Sequence, residues 1–458
     1  QFSCMHKIEQ AIAVAAQSRA YNALISETFD LARSQARNAL AKGLEPFPIV
    51  VKNCFALSGI PLTCASRMLE KFTPSYTATV VQRLIDNGGC IVGTANLDEF
   101  CMGTSSALGH FGPVKSGLSE PSSLSLDWRI PGGSSGGSAV AVQLGMAEMA
   151  LGSDTGGSTR NPAAFNGLYG LKPTYGTCSR YGLVPLVNSM DAPSIVARTA
   201  EACLRYFDMM AGEDERDSTS IKLKPRGERR QIKGLRVGIP KEFHNESLTE
   251  ESWQSWNEAA HELDTMGAIV EEVSMPHIKY ALLCYHVLVT VDVMSNMARY
   301  AGISYGYRSP SVKAESSTFE LLAASRSESL NEVVRRRIFA GNYFLMKENR
   351  DKFYERALRV RRLIAEDFSR VFDKVDILLT PVSCGSAPLF SSLSEGRFKR
   401  EDEDDFYTQP VNLSGNPALS VPFGKCKEGL PIGVQLIGRH LEDRELLDVA
   451  IALSKERR

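Results

Sequence analysis

Two glycine-serine segments lie close together in the first half of the chain: Gly132-Gly133-Ser134-Ser135-Gly136-Gly137-Ser138, and then Gly152-Ser153-Asp154-Thr155-Gly156-Gly157-Ser158-Thr159-Arg160. Glycine lets a backbone approach a ligand closely and adopt positive φ, so that successive N–H groups converge on a developing negative charge. An oxyanion hole needs that arrangement. Taken alone, the first segment has the composition of a flexible linker. Its neighbour argues against a linker, because the second glycine turn carries Asp154, Arg160 and Pro162 and has apolar sequence on both sides.

A serine hydroxyl is a weak nucleophile until a base takes its proton, and histidine is the usual helper. Seven histidines are present and none lies inside either segment, His110 being the nearest in sequence. A buried lysine is a competent alternative base. Pro46-Phe47-Pro48-Ile49-Val50-Val51-Lys52 is a short apolar run ending on a lysine, the pattern of a buried strand that stops at a site.

Around these segments, residues 7–41 are rich in Ala, Glu, Gln, Arg and Leu without Gly or Pro, which predicts helix. Residues 77–94 read as helix, glycine turn and strand, and that alternation makes the class α/β. Residues 112–127 read as a surface loop inserted ahead of the first glycine-serine segment, 235–239 and 376–381 as strands, and 253–266 as helix. The expected organisation is one domain over 1–458. Residues 1–45 form its helical scaffold, 46–211 the catalytic core, 212–234 a charged connector, and 235–458 a second half that completes the sheet and the substrate pocket.

A formal net charge of −1 without a long Lys/Arg run argues against a role as the principal grip on nucleic acid. The ten cysteines form no CxxC pair, so no metal site is expected and a reducing compartment fits best. No uninterrupted apolar stretch reaches the roughly 18–20 residues of a membrane span, so no membrane partner is expected. The sequence opens on Gln1, which leaves a removed targeting peptide open.

PIVVK upstream, GGSSGGS, and GSDTGGSTRNPAA together resemble the amidase signature family of Ser-Ser-Lys hydrolases, with Ser134 and Ser158 separated by 24 positions. The resemblance implies a large mixed, mostly parallel central sheet covered by helices on both faces. It implies Ser158 as nucleophile, Ser134 as a bridging serine on a cis peptide bond, Lys52 as base, and the N–H groups of Thr155, Gly156 and Gly157 as the oxyanion hole. One departure is Asn53, where many relatives carry Asp, a change expected to bear on the electrostatics of the lysine and the pH optimum.

Within that family, segments such as SRYGLVPLVNSMDAPSI, VVRRRIFAGNYFL and TQPVNLSGNPALSVPFG are similar to the A-subunit branch of the glutamyl-tRNA(Gln) amidotransferases, the mitochondrial form more than the bacterial one. That similarity implies free glutamine as substrate, with Arg337 for its carboxylate, Asp405 for its ammonium and Tyr285 as a pocket wall or donor. Read without it, residues 335–337 are a solvated helix face and 402–405 an acidic surface loop. The similarity also implies a B subunit, which binds Glu-tRNA(Gln) and uses ATP and Mg, and a small C subunit. No cofactor is expected in this chain, which has no G-x-x-x-x-G-K-[ST] loop. Residence in the mitochondrial matrix is implied, with bacterial cytoplasm as the alternative. Competing readings are a stand-alone amidase acting on small or fatty carboxamides, and a catalytically retired scaffold.

Overall fold

The computed structural model describes residues 2–227, 229–313, 315–393 and 397–456. Its N-terminal stretch is not continuous helix. It divides into α1 (Phe2–Gln17), β1 (Leu24–Glu27) and α2 (Phe29–Ala41), with Asn22 in the left-handed region at the break. Neither glycine nor proline marks this strand. It forms because β3 (Gly89–Ala95) offers an open edge with which Leu24 and Glu27 pair, a tertiary effect that local propensity does not carry.

The apolar run before Lys52 is β2 (Phe47–Lys52), buried at every position. α3 (Thr79–Asp86) follows and leads through the glycine turn into β3. After the first glycine-serine segment come α4 (Gly136–Leu144), β4 (Met149–Asp154), α5 (Arg160–Phe165), β5 (Tyr169–Lys172), β6 (Ala192–Ala197) and α6 (Ala200–Met210). The two segments are therefore joined by a helix and a strand. Beyond the connector lie β7 (Arg236–Pro240), α7 (Glu250–Thr265), β8 (Ile269–Val273), α8 (Ala281–Met297), α9 (Thr318–Ser329), α10 (Glu332–Leu345), α11 (Tyr354–Phe372) and β9 (Ile377–Pro381). The chain ends with α12 (Arg397–Ser414), β10 (Ala418–Lys425), β11 (Pro431–Gly438) and α13 (Asp443–Glu456).

Among the described residues, eleven strands join one sheet, in the order β1-β3-β2-β4-β6-β5-β10-β11-β9-β7-β8. The fold is α/β with a mixed central sheet and helices on both faces. β2 shows why both faces must be covered: Phe47, Ile49 and Val51 enter a core with Val80 and Leu84 of α3 and Phe207 of α6, whereas Val50 enters another with Ile8, Ala32 and Val140. The balance of directions differs from the expectation. Parallel pairing is confined to β3-β2-β4 and β9-β7-β8, while the middle, from β4 through β6, β5, β10 and β11 to β9, is antiparallel. An apolar run reads the same in either direction, so the sequence pattern did not carry this distinction. The β5–β10 pair joins the two halves of the chain, and this brings α12 across to the glycine-serine loops.

The inserted loop is more than surface decoration: the carboxylate of Asp127 at its end accepts the Ser391 N–H at 3.1 Å and the Ser391 hydroxyl, and the residues just beyond it continue the contact. Ile130 donates to the Pro388 carbonyl at 3.0 Å, Phe390 to that of Trp128 at 2.8 Å, and the Trp128 and Phe390 rings stack at 4.6 Å. α8 belongs to the one segment among the described residues, Ile278–Met297, that is long and apolar enough to cross a membrane; half of it is buried inside the protein, where α8 packs on α10, α11 and α12.

Candidate active site

β2 and β4 run parallel, with Val51 opposite Leu151, so their C-terminal ends deliver Lys52 and Ser153 to the same place. Lys52 is fully buried. Its Nζ lies 2.8 Å from Ser134 Oγ, 2.9 Å from Ser135 Oγ and 2.9 Å from Ser153 Oγ. Three hydroxyls thus surround one amine, a cage that fixes the long lysine side chain and lets a proton pass between Ser134 and Lys52. Behind it, Cys101 Sγ and Cys54 Sγ lie 3.6 and 3.8 Å from Ser153 Oγ. The Cys54 thiol holds Cys101 below the usual thiol range against the effect of burial, and Lys52 and Ser153 act in the same direction.

The Gly133–Ser134 peptide bond is cis. Gly133 has no room for a side chain: a Cβ there would lie 2.7 Å from the Ser105 nitrogen and also against Asp98. Asp98 anchors that neighbouring loop by accepting from the N–H groups of Ser106 and Ala107 at 2.8 and 3.1 Å.

Between residues 149 and 166 every residue is buried except Ser158, which is half-exposed. The two glycine-serine segments are tied directly, the Ser135 N–H donating to the Ser158 carbonyl at 3.0 Å. Asp154 sets the shape of the loop that presents Ser158. Its Oδ1 accepts from Gly157 N at 2.9 Å, from Arg160 Nη2 at 2.8 Å and from Asn412 Nδ2 at 3.0 Å, and its Oδ2 accepts from Arg160 Nε at 3.0 Å. Burial alone would raise this carboxyl, but the Arg160 charge and its hydrogen bonds hold it well below the usual carboxylate range. The Gly157 bond corrects one expectation: that N–H is already committed to Asp154 and is not a free oxyanion donor. The N–H groups of Thr155, Gly156 and Ser158 have no acceptor among the described residues.

Asn53 does not face the lysine amine. Its Nδ2 donates to the Pro61 carbonyl and to Thr94 Oγ1, both at 2.9 Å, and its Oδ1 accepts from the N–H and hydroxyl of Thr63 at 2.7 and 2.6 Å. It pins the loop after β2, a task for which the amide's donors are needed.

Tyr285 on α8 is buried against the glycine loop; a Cβ on Gly156 would lie 2.6 Å from its Cζ. Asp405 on α12 is pushed well up by burial and then by Glu401 and Asp404, with Arg337 opposing. Burial also raises Tyr285, with Asp405 adding to the rise and Arg337 opposing it. The charges of Arg337 and Asp405 therefore both act on the ring that borders Gly156. Arg337 is half-buried, unlike its exposed neighbours Arg335 and Arg336, the latter paired with Glu332. Sequence reasoning assigned no role to several participants: Ser153, Asp191, Thr408 and Asn412. Asp154 and Arg160 stood inside the motif, but their pairing needed the fold.

The sequence profile of the Amidase family matches residues 7–447. The chain belongs to the amidase family. Among its amidase-family relatives, the mitochondrial glutamyl-tRNA(Gln) amidotransferase A subunit of Anopheles gambiae is 44% identical over 98% of this chain and 93% of its own length. That of Xenopus tropicalis is 46% identical over 95% of this chain and 88% of its own. Among solved amidase folds, the glutamyl-tRNA(Gln) amidotransferase A subunit from Thermotoga maritima superposes with a TM-score of 0.75 at 32% identity, covering 98% of this chain and 94% of that one.

Proposed function

We propose that this amidase-family chain is the glutaminase subunit of a glutamyl-tRNA(Gln) amidotransferase, supplying ammonia for conversion of Glu-tRNA(Gln) to Gln-tRNA(Gln). The observation that carries the chemistry is the 2.8 Å approach of Lys52 Nζ to Ser134 Oγ inside a closed hydroxyl cage. Lys52 takes the Ser134 proton while Ser134 takes that of Ser158. Ser158 Oγ then bonds to the carboxamide carbon. The N–H groups of Thr155, Gly156 and Ser158 receive the oxyanion. Collapse breaks the C–N bond, the relay returns a proton to the departing ammonia, and water releases glutamate from the acyl ester.

Substrate choice rests on Arg337 for the α-carboxylate and Asp405 for the α-ammonium, with Tyr285 between them and Gly156. A zwitterion offers Arg337 and Asp405 the charge partners that a simple carboxamide lacks, which favours an amino-acid amide over a simple one. Activation of the glutamyl ester with ATP and Mg, and most of the tRNA grip, belong in this reading to a B subunit, with a small C subunit completing the complex. The mitochondrial relatives support residence in the matrix. The single eleven-stranded sheet supports treating 1–458 as one domain.

The test is ammonia release from glutamine by the chain co-purified with candidate B and C subunits. Ser158→Ala and Lys52→Ala are expected to lose at least about 10⁴-fold in kcat, and Arg337→Ala to raise KM for glutamine by about tenfold or more. A wild type that ignores glutamine yet hydrolyses simple amides alone replaces this reading with a stand-alone amidase.

A further inference from the structure

Gln409 lies one helical turn beyond Asp405 on α12 and is wholly buried. Its Nε2 donates to Asp405 Oδ2 at 2.8 Å. Its Oε1 has no hydrogen-bond partner among the described residues. With Asp405 ionised, the form that pairs with an α-ammonium, this orientation of the amide follows from chemistry, since turning it over would set a carbonyl oxygen against a carboxylate. The same turn is bolted to the catalytic loop, because Thr408 Oγ1 donates to the Gly156 carbonyl at 2.6 Å.

An unmet buried carbonyl is a cost that an apolar side chain of similar shape would avoid. Packing therefore gives no reason for an amide at this position, whereas the bond to Asp405 does. Asp405 shares its helix with Glu401 and Asp404, whose charges disfavour another anion. A neutral donor on Oδ2 steadies the carboxylate without introducing a rival cation. It also fixes the rotamer and leaves Oδ1 to the incoming group, so less side-chain freedom is lost on binding.

We propose that Gln409 is a positioning residue that presets the Asp405 carboxylate for the α-ammonium of an amino-acid amide, and so sets the preference for such amides over simple carboxamides. The proposal rests on the glutaminase reading above and deepens it.

The experiment compares Gln409→Leu and Gln409→Glu with wild type in the co-purified complex, measuring kcat and KM for glutamine and for butanamide, which lacks both α-substituents. Gln409→Met, which keeps the length of the side chain, serves if the leucine variant does not fold. The expected result is a rise of about tenfold in KM for glutamine, larger for the glutamate variant, with kcat changed by less than about threefold and the preference for glutamine over butanamide reduced about tenfold. Equal losses on both amides, or no change on either, would overturn the role while leaving the glutaminase reading intact. A wild type without glutamine hydrolysis overturns both.

Discussion

The buried carboxylate of Asp191 accepts the Thr155 hydroxyl on Oδ1 at 2.7 Å, while its Oδ2 accepts the N–H groups of Leu186 and Val187 at 2.8 and 2.9 Å. One side chain thus ties the first residue of the Ser158 loop to the segment that leads into β6.

Burial raises Asp191 to about 6, with the Thr155 hydroxyl and the two N–H groups opposing. A free aspartate titrates near 3.9, so between roughly pH 4 and 6 the folded chain holds a proton that the unfolded chain has lost. The contribution of this group is fully present below about pH 4 and is lost as pH rises through about 6, a change of roughly 3 kcal/mol. Asp191→Asn is expected to flatten the dependence of stability on pH in that window, as read from urea unfolding at pH 4.5 and 7.5. Glutaminase kcat should fall about tenfold as Thr155 loosens. An unaltered pH slope would remove Asp191 from this account.

Arg160 is the largest fully buried side chain among the described residues, and besides Asp154 its guanidinium reaches the Thr408 carbonyl at 3.1 Å and Gln435 Oε1 at 2.7 Å. Asp154→Ala would leave this cation with neutral acceptors alone. A loss of about 3–5 kcal/mol is expected for either single variant, and Asp154→Ala with Arg160→Ala should cost less than the sum, as a double-mutant cycle from chemical denaturation would show. Because the Asp154 carboxyl is held below its free value, its contribution is present above about pH 4 and lost only as pH falls through the depressed value. Acidification to pH 5 should therefore leave the pair intact, and additive single losses would argue against coupling.

Gly156 is where the proposed pocket meets the glycine loop. A Cβ there would lie 2.6 Å from Tyr285 Cζ and 2.9 Å from its Cε2, so the ring has to move. Gly156→Ala is expected to lower kcat/KM for glutamine by about 10²-fold or more by displacing both an oxyanion donor and the pocket wall. The thermal midpoint should stay within a few degrees of wild type. Near-normal kinetics would mean that neither the donor nor the ring is used as proposed.

Much of the site could be read locally. A strand ending on Lys52 and two glycine turns carrying Ser134 and Ser158 are short-range signals, because buried strands and positive-φ glycines have recognisable compositions. β1 was missed because only the open edge of β3 makes it a strand. The direction of the central strands was missed because side-chain hydrophobicity carries no polarity. Position 53 was expected to act on the lysine; its amide instead turns to Pro61, Thr63 and Thr94, a choice fixed by which donors surround it.

The sequence by itself determined the chemistry available: a lysine, two serines and glycine-rich backbone within 107 residues of one another, from Lys52 to Ser158, together with the α/β alternation that carries them. Only the tertiary structure decided which groups meet. Asp154 to Asn412 spans 258 positions and Gly156 to Thr408 spans 252, and both contacts exist because β5 pairs with β10. Such pairs are set by the closing of one sheet around its cores, and a local stretch of chain cannot encode a distance to a partner it does not contain.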